Sequence, residues 1–214
     1  MPKEIRPASS HTTRQLLVHH GLQIARASGL RSITVRQVCS LAEANTGTFV
    51  YHFGTREKFI GELVERWYEP LFAQMQLVVD GGTSPFDRLE GLLQQMLAFV
   101  DEHGAFIAQL VQDAAAGEKA ASKFASSLPL RHPILFLQCI VDAQNAGQIV
   151  LAPPTHVMLF LVSALGLPAL MQHMLSGVLP PHMLVASQAV ASGSQNSRLR
   201  LQWALNGLRP RSRQ

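Results

Sequence analysis

The stretch from Thr34 to Gly54, TVRQVCSLAEANTGTFVYHFG, leaves the chain little freedom in how it folds. Thr34 can cap a helix whose inward stripe is Val35, Val38 and either Leu41 or Ala42. Glu43-Ala44 breaks that pattern, Asn45 or Thr46 can cap a second helix, and Gly54 ends it. Punctuation this dense admits two very short helices joined by a tight turn. Phe49 and Phe53, at i and i+4, anchor the second helix to a core. Asn45, Thr46, Gly47, Thr48, Tyr51 and His52 are left on its outer faces.

Helical spacing continues on both sides. Upstream, Leu17, Gly21, Ile24 and Ser28 share one face, with Thr12 or Thr13 as N-cap and Gly29 as stop. Downstream, Thr55 caps a long amphipathic helix that runs to about Met75 or Val79, with Glu57 at its positive end. Further helices are expected at 85–102, 105–116, 118–127, 131–146, 154–176 and 195–207. Two-residue alternation never persists, so the expectation is an all-α chain of about nine helices. A flexible basic N-terminus (1–10) precedes a three-helix unit (11–54), then a larger helical domain (55–208) and a basic tail (209–214).

Charge is unevenly placed. Residues 1–68 hold nine Lys/Arg against five Asp/Glu, and the remainder holds nine of each, so the whole excess of +4 lies in the first third. That distribution favours a polyanionic partner. Two helices joined by a tight turn form the DNA-binding helix-turn-helix, whose second helix enters the major groove. The outward hydroxyls, imidazole and backbone N–H groups are all phosphate donors. Arg56 and Lys58 fall in the first turn of the next helix, where exposed N–H groups also favour an anion. The expected DNA face is Thr34, Arg36, Asn45, Thr46, Gly47, Thr48, Tyr51, His52, Arg56 and Lys58.

The run SITVRQVCSLAEANTGTFVYHFGTREKFIGEL resembles the TetR family of transcriptional repressors, over about 50 residues from Thr13 to Leu63. The ending GLRP of the last helix is similar too. The chain departs from the family pattern at Ala44, Asn45 and Thr46, where many members carry valine, serine and lysine, and at Val50, where an aromatic is common. The resemblance implies a homodimer with two DNA-binding heads, a ligand cavity in the larger domain, and release from a palindromic operator on effector binding. A helical carrier or sensor with a non-functional head is the alternative.

For a C₂ contact, the apolar helices near the C-terminus offer Met158, Leu161, Val162, Leu165 and Met174, with Leu199 and Trp203 on the last helix. Trp67, Phe99, Phe106, Phe136 and Phe160, with Gln109 and Gln112 as polar groups, are expected around the cavity. That lining suits a small, largely apolar effector. No catalytic constellation, cofactor motif or metal-ligand spacing is found, so enzyme chemistry is not expected. Cys39 and Cys139 fit no zinc or redox spacing, and the N-terminus is no signal peptide. The most apolar run, Val157–Met171, is shorter than the ~20 residues that cross a bilayer. A cytoplasmic protein without a membrane partner is the expectation.

Overall fold

The computed structural model describes residues 10–81, 84–175, 178–180, 182–183, 185 and 193–210. Most of the N-terminal arm and of the C-terminal tail therefore lies outside the described residues. Those described are helical, with no strand among them. They form α1 (Ser10–Ser28), a 3₁₀ turn (Leu30–Ser32), α2 (Val35–Leu41), α3 (Thr46–Phe53), α4 (Arg56–Asp80), α5 (Pro85–Ala115), α6 (Lys119–Ser127), a second 3₁₀ turn (Leu128–Leu130), α7 (His132–Asn145), α8 (Pro154–Leu165), α9 (Leu167–Leu175) and α10 (Ser194–Leu208).

The chain divides into two compact units. The first comprises Met1–Trp67 and Gln109–Ala125, so the three-helix head shares a core with the end of α5 and with α6. Its centre is apolar: Leu17, Leu30, Ile33, Val38, Phe49, Phe59, Ile60 and Leu63 are almost fully enclosed. Helices as short as α2 and α3 do not persist in water alone, so this packing is what holds them. Gly21 lets α1 and α4 come close, because a Cβ there would lie 2.6 Å from the Phe59 ring.

The second unit comprises Tyr68–Ala108 and Ser126–Gln214. Leu89, Leu92, Leu93, Phe136, Ile140, Leu161 and Leu165 form its core. Two expected boundaries are corrected here. Residues 85–115 are one continuous helix, not two broken at Glu102-His103-Gly104. Gly104 serves close packing, since a Cβ there would sit 2.8 Å from the His173 ring. Conversely, 154–176 is not one helix: α8 and α9 meet at Gly166 with a 48° bend. Pro168 explains the break, because it has no N–H to donate and its ring crowds the carbonyl four residues back. The segment Lys119–Asn145 is apolar and long enough to cross a bilayer, but the 3₁₀ turn at Leu128–Leu130 separates α6 from α7.

Candidate nucleic-acid interface

The turn between α2 and α3 is held locally. Thr34 Oγ1 accepts from Gln37 N at 3.2 Å, capping α2. Ala42 turns inward while Leu41 is half exposed, which settles the position that spacing left open. Ala44 N donates to Cys39 O at 2.9 Å, and Glu43 takes a positive φ of 50° to make the corner. Asn45 caps α3: its Oδ1 accepts from Thr48 N at 2.8 Å and from Thr48 Oγ1 at 3.1 Å.

Phe49 and Phe53 fix which way α3 faces. Both are buried and stack with Phe59 at centroid distances of 5.0 and 4.7 Å. The Arg14 guanidinium lies over Phe53 at 5.3 Å and pairs with Glu62 at 2.7 Å. At about 100° per residue, Gly47 and Tyr51 point away from this cluster, flanked by Thr46 and Val50 on one side and Thr48 and His52 on the other. Tyr51 is 82% exposed, with its ring edge-on to His52. A Cβ on Gly47 would meet nothing but Asn45 Oδ1, at 3.2 Å, so the backbone is open to a close approach there. Thr34, Arg36 and Lys58 are exposed as well.

Arg56 is a correction. Its guanidinium turns inward, donating from Nε to Ile33 O at 2.7 Å and from Nη2 to Leu30 O at 2.9 Å, and pairing with Glu118 Oε2 at 3.0 Å. The Ile33 carbonyl, just past the 3₁₀ turn, takes its donor from Arg56, while the Leu30 carbonyl accepts from both Arg56 and Ile33 N, the latter at 3.2 Å. Its charge is engaged within the unit, which removes it from the expected face. Beside it, Leu30 N donates to Asp113 Oδ2 at 2.6 Å, and Gln109 Nε2 donates to Asp113 Oδ1 at 3.2 Å. Sequence reading missed these roles of Asp113 and Glu118, and it also missed the exposed Gln37 and Val50. Only their places on the outer faces of α2 and α3 pointed to the last two.

The other expected groups are scattered. Trp67, Gln109 and Gln112 belong to the first unit; Phe99, Phe106, Phe136 and Phe160 belong to the second. Gln112 and Phe160 are exposed, so they are not enclosed lining residues. A groove of about 470 Å³ between α5 and α10 is bordered by Glu90, Gln94, Asp101, Ser197 and Arg198, and none of the expected lining residues takes part. The second unit holds a polar pair that sequence reading missed. Tyr68 Oη and His132 Nδ1 lie 2.8 Å apart, and His132 stacks edge-on to Phe136. Burial, helped by the adjacent Arg131 charge, lowers the His132 pKa to about 4. At neutral pH the imidazole is uncharged.

In the expected dimer patch, Leu161 and Leu165 are buried within the protomer and drop out. Met158 and Met174 are half-buried, whereas Val162, Leu199 and Trp203 are exposed, Trp203 by 65%. Leu159, 63% exposed on α8, was missed. Helices α8 and α10 pack on one another.

No family model matches the chain. The HTH-type transcriptional repressor KstR2 of Mycobacterium tuberculosis is 32% identical over 77 residues, 36% of this chain and 38% of that protein. The HTH-type transcriptional repressor DhaR of Mycobacterium sp. is 23% identical over 137 residues, 64% of this chain and 69% of the relative. The match thus spans well under half the length of the first of these relatives. The solved M. tuberculosis KstR2, a ketosteroid transcriptional regulator, superposes with a TM-score of 0.62 at 18% identity, over 92% of this chain and 95% of that one. A tetR-family regulatory protein from Rhodococcus RHA1 gives 0.65 at 12% identity, over 94% and 98%. In the sequence of its head the chain is similar to helix-turn-helix repressors, and its fold is that of the solved TetR-family regulators.

Proposed function

We propose that the protein is a ligand-responsive transcriptional repressor that binds a palindromic operator as a homodimer and is released by a small, largely apolar effector. The observation that carries this reading is the orientation of α3. Its two phenylalanines are buried, and the opposite face presents Gly47 and a Tyr51 that is 82% exposed. An aromatic left so open beside hydroxyls, an imidazole and bare backbone suits a phosphate strand far better than a core. Thr34, Arg36, Thr46, Gly47, Thr48, Tyr51, His52 and Lys58 make the face, with the amide of Asn45 chiefly shaping it.

Dimerisation is assigned to the apolar surface of α8 and α10, through Leu159, Val162, Leu199 and Trp203. Exposed large apolar side chains on two helices that pack on one another support a protein contact there. Two heads on a two-fold axis would read half-sites one helical turn or a multiple apart, roughly 34–36 Å per turn. The apolar interior of the second unit, with the neutral Tyr68–His132 pair beside Phe136, supports an apolar effector with few polar groups. M. tuberculosis KstR2 is a ketosteroid regulator, and a ketosteroid is a molecule of that chemical character. The setting proposed is the cytoplasm.

Selection from a random duplex pool tests the reading. The full-length protein is expected to enrich a two-fold symmetric site and to sediment as a dimer. Trp203→Glu should produce monomers and lose most of the affinity. Failure to enrich any duplex, with ligands still binding, would favour a carrier or sensor.

A further inference from the structure

We infer that Val50 is a specificity-determining residue that reads the 5-methyl group of thymine in each half-site. The inference rests on the operator-binding reading above and extends it to the chemistry of the bases. Bidentate hydrogen bonding by Arg or Lys to guanine, or by Asn or Gln to adenine, is the usual way a helix identifies a base. Helix α3, TGTFVYHF, contains none of these residues. Asn45 precedes it, but the Oδ1 that an adenine contact needs already accepts from both Thr48 N and Thr48 Oγ1. Tyr51 and His52 each offer single hydrogen bonds, which suit phosphates better than base pairs.

What α3 does offer is methyl groups. Val50 is 52% exposed on a face with no apolar neighbour to cover it from within α3, one turn after Thr46 and beside the open backbone of Gly47. A β-branched side chain is stiff, so its two methyls are held in place rather than folded away. In the major groove, the thymine methyl is the one apolar feature among the base edges. A notch bounded by Thr46, Gly47 and Val50 accepts a methyl and gives no hydrogen bond in return.

The test uses a duplex enriched by the full-length protein, with each thymine replaced in turn by deoxyuridine. That exchange removes the methyl and leaves base pairing unchanged. Wild type should lose about three- to fivefold in affinity at one or two positions per half-site, the effect of one buried methyl. Val50→Ala should lose that sensitivity at those positions while keeping its thermal midpoint. The inference is overturned if no thymine responds, if the response survives Val50→Ala, or if it vanishes in Thr46→Ser or Gln37→Ala instead. A protein that enriches no duplex overturns the repressor reading and this inference with it; a flat scan on a duplex it does bind overturns the inference alone.

Discussion

Helix α3 in the first unit and the α8–α10 pair in the second both present exposed aromatic or apolar side chains, yet the two surfaces are built differently. In α3 the residues that decide which side faces outward lie within the helix or at its ends: Asn45 caps it, Phe49 and Phe53 peg it, and Gly54 ends it. On α8 the spacing is apolar nearly all round, so which of its residues face outward depends on what packs against it. Leu161 is buried and its neighbour Val162 is exposed. A surface fixed by local chemistry can be read from the chain; a surface fixed by tertiary packing cannot.

The contrast breaks first at the pegs. Phe49→Ala should destabilise the protein by about 3–5 kcal/mol in urea denaturation, as aromatic truncation in a packed core does. A loss under about 1 kcal/mol would mean that Phe49 does not orient α3. The next effect separates two cations two residues apart. Arg56→Ala leaves the Ile33 carbonyl without its side-chain donor and Glu118, largely buried, without its partner. A cost of about 2–3 kcal/mol is expected. Arg56→Lys should rescue it only in part, since one ammonium cannot reach all three acceptors.

In the second unit, pH sharpens the contrast. His132 has a folded pKa of about 4 against an ordinary value of 6.5. The unfolded chain therefore binds a proton that the folded one does not between those values, so stability is full above 6.5 and falls as pH drops toward 4. Between pH 7.5 and pH 5 the loss from this group is about 2 kcal/mol. His132→Gln should flatten that part of the profile; an unchanged slope would mean that burial does not hold the His132 imidazole uncharged. The smallest effect is at Lys58. Lys58→Ala should leave stability within ~0.5 kcal/mol and reduce the salt dependence of operator binding by about one unit of slope.

These residues also show how far the chain could be read in advance. The caps at Thr34 and Asn45, the pegs at Phe49 and Phe53 and the stop at Gly54 are short-range features, and all lie where their chemistry placed them. Arg56 was misjudged because its partner Glu118 lies 62 positions away, and Asp113 reaches Leu30 across 83. Nothing in the spacing of charges announces such pairs. Glycine misled in both directions: Gly104 looks like a stop and is a packing site, whereas Gly166 marks a break that an apolar run concealed.

Whether the far side of the pegged helix grips a duplex is tested most directly by Tyr51→Ala. Operator affinity, measured by fluorescence anisotropy at fixed salt, should fall by about tenfold or more, with unfolding free energy unchanged to within ~0.5 kcal/mol, as expected for an exposed residue that contacts phosphate. Unaltered affinity, or a variant that loses its fold along with its binding, would contradict the DNA-gripping role of α3.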